Sequence, residues 1–342
     1  MALSFKPKLI VKKLLAVLPQ RGRDVIVSRY GLGTSPVKLT LEAIGDKYGI
    51  TRERVRQIEN SSIANIRKSP AFKSELASFD ELKDLFETLG GIISEEDFLN
   101  HITTKDKSLQ NHIHFLLVAG VPFKRLKEDE DFKHRWHVNE ELSKKVEESL
   151  RKLYKNLSDD ELLPEGELVK QFLEHLKDVS EDYKSEEVLR RWLSISKKIA
   201  RNPLGEWGVA SSKNVHVKGI RDYAYLAIRK HGSPIHFKEV AKSIAQMFDK
   251  KAHVATTHNE LIKDPRFVLV GRGLYALAEW GYLSGVVKDV ITKVLGKHGA
   301  LTKEDVIDKV LKERYVKKNT ILVNLQNNKA FKKDKEGKYS LA

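Results

Sequence analysis

Apolar residues in this chain recur mainly at helical spacing. Near the C-terminus Val286, Val290, Ile291 and Val294 share one face of a stretch that His298-Gly299 stops. Val306, Val310 and Leu311 mark a second stretch, which Thr302 is placed to cap. A third helix is predicted over 317–328, and FKKDKEGKYSLA reads as a hairpin turning near Glu336-Gly337. The residues before it repeat this order. RDYAYLAIRKHG, IHFKEVAKSIAQMF and HVATTHNELIKD read as helices, and RFVLVGRGLYALAEW as two strands with Gly271 and Gly273 at the turn.

The order is also legible, more loosely, upstream. ELKDLFETLGG, ISEEDFLNHI and SLQNHIHFLLVAG lead into a long acidic hairpin, FKRLKEDEDFKHRWHVN. KKVEESLRKLYKNL, GELVKQFLEHL and SEEVLRRWLSIS lead into KKIARNPLGEWGVAS. Each set ends on an aromatic strand, at Trp136, Trp207, Tyr275 and Tyr339, with spacings of 71, 68 and 64 residues. That regularity signals tandem units of one architecture. Three helices closed by a β-hairpin is the winged-helix plan, in which the aromatic covers the end of the helical core rather than stacking on a base. Units this small are marginal alone, so neighbours are expected to pack or to share linkers; SSKNVHVKG (211–219) is the linker candidate.

The N-terminal stretch is patterned differently. LTLEAIGDKYGITRERVRQIEN reads as a helix-turn-helix, with Ile44, Tyr48, Ile50, Val55 and Ile58 where two crossing helices bury apolar side chains. Gly45 is small where the helices touch, Gly49 supplies the positive φ of the turn, and Thr51 caps the second helix. Val55, Ile58, Ile63 and Ile66 form its inner face. Glu53, Arg56, Gln57 and Asn60 point away, with Arg52 at the edge of the first turn. That outer set has the chemistry of direct base readout: Arg for guanine, Gln for adenine, Glu for the cytosine amino group. The expected fold class is mainly α: tandem helix-turn-helix and winged-helix modules with short β-hairpin wings. The expected divisions are 1–70, 71–140, 141–211, 212–282 and 283–342.

Charge sharpens this picture. The 342 residues carry 62 Lys+Arg against 47 Asp+Glu, a net +15, but unevenly. Residues 1–70 are net +9, 71–140 are −5, 141–210 are −2, 211–280 are +6 and 281–342 are +7. The ends are expected to face double-stranded DNA, and the middle to face solvent or a protein. Zero cysteines exclude disulfides, thiolate catalysis and Cys-based metal sites. No apolar run approaches a membrane span, so no membrane partner and a cytoplasmic location are expected.

Two stretches resemble known families. LPQRGRDVI, SRYGL, TLEAIGDKYG and TRERVRQIE, within 18–69, resemble region 4 of sigma-70 family transcription initiation factors, whose second half reads the promoter −35 element. The resemblance implies base readout by Arg52, Glu53, Arg56 and Gln57, and phosphate contacts by Arg21, Arg29, Thr40, Leu41 and Arg54. Gln20 and Gly22 stand where that family usually has acidic residues, and NSSIANIRKS is poorer in Lys/Arg than the family's helix end. Nothing downstream resembles region 2, which reads the −10 element and opens the duplex, so a whole sigma factor is not expected. Residues 219–282, above all DPRFVLVGRGLYALAEWG, resemble a HARE-HTH domain, a winged module of the RNA polymerase delta subunit, some restriction enzymes and chromatin proteins.

No other constellation rises to chemistry. His112, His114, His134 and His137 read as buried or surface imidazoles rather than a zinc site. Asp159, Asp160, Glu165, Glu167 and Lys170 read as an acidic helix start rather than a nuclease centre. GxxxxGK[ST], GxGxxG and HExxH are absent, so no cofactor, metal or enzymatic activity is expected. The acidic run Glu128–Asp131 is a solvated turn, an element that repels DNA, or a face for a basic protein surface. The leading expectation is sequence-specific DNA binding in bacterial transcription, with RNA polymerase core as a protein partner. The alternatives are a delta-like polymerase accessory factor and the DNA-binding part of a restriction system.

Overall fold

The computed structural model describes residues 3–176, 179–283, 285–327 and 329–342; Asn328, at the end of the third C-terminal helix expected from the sequence, lies outside them. The chain forms two compact units, residues 1–200 with 207–210, and residues 201–206 with 211–342. Among the described residues no helix is long and apolar enough to cross a membrane.

The first unit opens with α1 (Pro7–Ala16), α2 (Gln20–Tyr30), α3 (Leu41–Tyr48), α4 (Arg52–Lys68) and the short α5 (Pro70–Ser74). Pro7 begins α1, where its missing N–H costs nothing, and Ile10, Val11, Leu14 and Leu15 bury its inner stripe. Next come α6 (Leu76–Thr88), β1 (Ile92–Ser94), α7 (Glu95–Ile102), α8 (Lys107–Ala119), β2 (Lys124–Leu126) and β3 (Arg135–His137). The strands form an antiparallel sheet ordered β1-β3-β2, in which Trp136 lies between Ile93 and Arg125. The core is continuous across residue 70. Ile10, Leu14, Ile26 and Ile66 pack in one cluster with Phe86, Phe98, Phe115 and Trp136.

A third set completes the unit: α9 (Glu140–Asn156), α10 (Glu165–Glu174), α11 (Glu186–Ile195), β4 (Ile199–Arg201) and β5 (Trp207–Val209). Leu163 bridges Trp207 and takes the place of a first strand. Trp192 of α11 is fully buried, and its Nε1 donates to the Gly90 carbonyl at 3.0 Å, so α11 closes on the set before it. The acidic run is no free turn. Asp129 pairs with Arg135 at 3.1 Å, Asp131 with Arg151 at 2.9 Å and Glu128 with Lys197 at 2.7 Å. The basic surface that it meets belongs to its own chain.

The second unit holds α12 (Ile220–His231), β6 (Ile235–His236), α13 (Phe237–Phe248), α14 (Val254–Lys263), β7 (Phe267–Gly271) and β8 (Leu274–Leu277), with sheet order β6-β8-β7. It ends with α15 (Val287–His298), α16 (Lys303–Glu313), α17 (Lys318–Leu325), β9 (Phe331–Lys333) and β10 (Tyr339–Leu341), where Leu301 bridges Tyr339 as the first strand. Helix, short strand, two helices and hairpin thus recur in each unit, so the fold is mainly α with short antiparallel hairpins. Residues 211–219 are not a loose linker. Ser212, Asn214 and Val215 are buried, and Asn214 accepts from Arg266, which also pairs with Asp222 at 2.8 Å and Asp264 at 2.7 Å.

Candidate nucleic-acid interface

Helices α3 and α4 cross at a tight turn, and local chemistry sets both of them. Thr40 caps α3 by accepting from Ala43 N–H at 3.1 Å, and Thr51 caps α4 by accepting from Arg54 N–H at 3.2 Å. Gly49 ends α3 at φ 63°, a conformation that disfavours side chains. Gly45 lies against the turn so closely that a Cβ there would stand 2.5 Å from the Ile50 carbonyl oxygen. Val25, Ile44 and Val55 form the small core between the helices, flanked by Tyr48, Ile50 and Ile58.

This core leaves one side of α4 to solvent. Arg52, Glu53, Arg54, Arg56, Gln57 and Asn60 are all exposed, on the face away from Val55 and Ile66. The exposed groups order one another. Arg56 donates to both carboxylate oxygens of Glu53, at 2.9 and 2.7 Å, and holds that carboxyl below its ordinary value. Arg54 donates to Gln57 Oε1 at 3.0 Å. The row therefore presents guanidinium, carboxylate and amide groups that solvent-screened bonds order and release at little cost.

The residues for which the sequence resemblance implies phosphate contacts lie on α2, at the start of α3 and on α4. Arg21 and Thr40 are exposed, and Leu41 is half-buried at the first turn of α3. Arg29 is half-buried; it donates to the Leu39 carbonyl at 3.1 Å and stands 3.7 Å from Glu59, which also accepts from the Tyr30 hydroxyl at 2.7 Å. Burial and the Glu59 carboxylate raise the Tyr30 phenol, which stays protonated as a donor.

A model of sigma-70, region 4 matches residues 14–68. Residues 14–68 are a sigma-70 region 4 segment. Over 57 residues the chain is 44% identical to the RNA polymerase sigma factor RpoS of Coxiella burnetii, 17% of this chain and 16% of that protein. It is 46% identical over 57 residues to SigA of a Nostoc species, 17% of this chain and 14% of that protein. It is 41% identical over 69 residues to RpoD of Helicobacter pylori, 20% of this chain and 10% of that protein. The chain thus spans about a sixth or less of the length of these relatives.

Region 4 here is held from behind by groups that no local pattern announces. Asn111 of α8 donates to the Gly31 and Pro36 carbonyls at 3.1 and 2.9 Å. Arg67 at the end of α4 donates to the Val118 and Ala119 carbonyls, both at 2.9 Å, and so caps α8. Gly22 packs against the buried Ser62 of α4, so closely that a Cβ there would stand 2.7 Å from the Ser62 hydroxyl. These partners lie 40 to 80 residues apart, so only a polar residue amid an apolar run, such as Asn111 in LQNHIHFLL, hints at them.

The other clusters resolve individually. His112 Nδ1 lies 2.6 Å from the Ser108 carbonyl, His134 Nδ1 accepts from Glu128 N–H at 2.9 Å, and His114 and His137 are buried. Among the described residues no group of three or more His, Asp or Glu side chains is arranged to hold a metal. Glu165 and Glu167 occupy the first turn of α10, and Glu165 pairs with Arg190.

Proposed function

We propose that this chain binds double-stranded DNA sequence-specifically in bacterial transcription, in the cytoplasm and without catalysis of its own. The recognition helix 51–66, within α4, reads a promoter −35-type element: Arg52, Glu53, Arg56 and Gln57 meet base edges, and Arg21, Arg29, Thr40, Leu41 and Arg54 meet phosphates. The observation that carries this reading is the exposed row of α4, capped by Thr51 and backed by a buried core, inside a region 4 segment. RNA polymerase core is the proposed protein partner, because the matched relatives are RNA polymerase sigma factors over this segment.

The basic C-terminal part adds flanking contacts. Residues 211–342 carry 26 basic against 13 acidic side chains. In α14 and α17, Thr256, Asn259, Lys263, Lys318, Asn319 and Thr320 face solvent, and Lys332, Lys333 and Lys335 line the last hairpin. The resemblance of 219–282 to a HARE-HTH domain supports the same role. Selection from random duplexes, with and without RNA polymerase, tests the reading. A consensus enriched by the free chain is expected. No consensus, together with co-purification with polymerase, would replace this reading with that of a polymerase accessory factor.

A further inference from the structure

A second group of cations continues from the phosphate positions of region 4, and the α6–β3 set supplies part of it. The loop between α2 and α3 is held at two carbonyls, Pro36 by Asn111 of α8 at 2.9 Å and Leu39 by Arg29 at 3.1 Å. Lys38 is pinned between them. In the middle of β2, Arg125 donates to both carboxylate oxygens of Glu95, at 2.7 and 3.0 Å. Glu95 also accepts from Trp136 Nε1 at 2.8 Å and lies 3.5 Å from His114, whose ring packs 5.8 Å from that of Tyr30, next to Arg29. One half-buried polar cluster thus ties the β2 strand to the α2 end of region 4.

The layering is ordered by charge. The carboxylates lie beneath, with Glu95 19% and Glu59 12% exposed, whereas Arg29 and Arg125 keep 37% and 35% of their side-chain surface. Lys38 and Lys107 are exposed and make no ion pair among the described residues. Partial desolvation of its ammonium, and the charges of Arg125, Arg29 and Lys107, push Lys38 below the ordinary lysine value against the pull of Glu95. Three of the four acids of the adjoining turn, Asp129, Asp131 and Glu128, are engaged by Arg135, Arg151 and Lys197, and against the exposed Glu130 stand Lys124 and Lys127, both exposed in the same hairpin as Arg125. A cluster of cations over half-buried carboxylates is a surface for a polyanion.

We propose that Arg29, Lys38, Lys107 and Arg125 form a phosphate track that carries the backbone of the bound duplex from region 4 onto the α6–β3 set. The inference rests on the reading that α4 meets duplex DNA, and continuity with Arg29 and Thr40 makes the occupant that same duplex rather than an acidic protein. Lys38 and Lys107 are the residues to test, since neither supports the fold through an ion pair. With the full chain and a random-sequence duplex, the slope of log affinity against log salt should fall by about 1 in Lys38→Ala and by about 2 in the Lys38→Ala/Lys107→Ala double variant. Base preference in a random-duplex selection should not change. Unaltered slopes in both variants, with a reduced slope in Arg54→Ala, would overturn the track and leave the reading of α4 standing; a shifted base preference in the lysine variants would also overturn it. Absence of duplex binding by the unaltered chain would overturn both.

Discussion

An alanine at position 45 would place its methyl carbon 2.5 Å from the Ile50 carbonyl oxygen, and that oxygen belongs to the backbone of the turn. Gly45→Ala is therefore expected to cost roughly 1–3 kcal/mol as the two helices are forced apart. Urea unfolding checks this, and duplex affinity should fall with it. On the outer face the consequence is different. Arg56 supports nothing buried, so Arg56→Ala should leave the unfolding midpoint unchanged while relaxing base preference by roughly ten- to a hundredfold at one position, read by selection from random duplexes. Thr51, Gly45, Gly49 and the exposed row were legible in the sequence because each answers to neighbours within about one helical turn. The Arg56–Glu53 and Arg54–Gln57 pairings follow from the same i,i+3 spacing.

At the scale of elements, α8 is the informative case. Its run from Gln110 to Leu117 is buried on every side, whereas α14 and α17, in the corresponding place of their sets, keep an exposed face. A helix buried on every side must pack on more than one partner, and α8 packs on its own set and on α1, α2 and α4. Asn111→Ala, which removes the bonds to Gly31 and Pro36, should destabilise the chain by about 1–3 kcal/mol in urea unfolding. The same packing makes unit 1 sensitive to acid. Burial holds His114 below the usual imidazole range against the pull of Glu95, so the folded chain protonates it only at a lower pH than the unfolded chain, which takes up the proton near pH 6.5. Its contribution to stability is complete above that value and is lost progressively as the pH falls below it. His101 and His137 shift in the same direction, so His114→Gln should remove part, not all, of the decline in denaturation midpoint between neutral and mildly acidic pH. Glu95, drawn down by His114 and Arg125 against its own desolvation, adds its loss only below the ordinary carboxylate range.

Across the whole molecule, the uneven charge separates two kinds of contribution. Removing residues 211–342 should weaken binding to all duplexes and flatten the salt dependence, while the enriched consensus stays the same. A truncated chain that enriches a different consensus would place base readout in the C-terminal part. By itself the sequence determined the helix-turn-helix of α3 and α4, its Thr51 cap and its turn, the recurring order of helices and hairpins, and the net charge of each stretch. Those features depend on the spacing of residues close together in the chain. Only the tertiary structure decided that region 4 and the α6–β3 set share one core, that Glu128, Asp129 and Asp131 are spent on Lys197, Arg135 and Arg151, and that Lys38 and Arg125 meet at the one polar cluster around Glu95. Each of those outcomes depends on side chains brought together from distant parts of the chain. Residue spacing carries no record of such meetings, because they are settled by which apolar faces exclude water together and which charges then remain free.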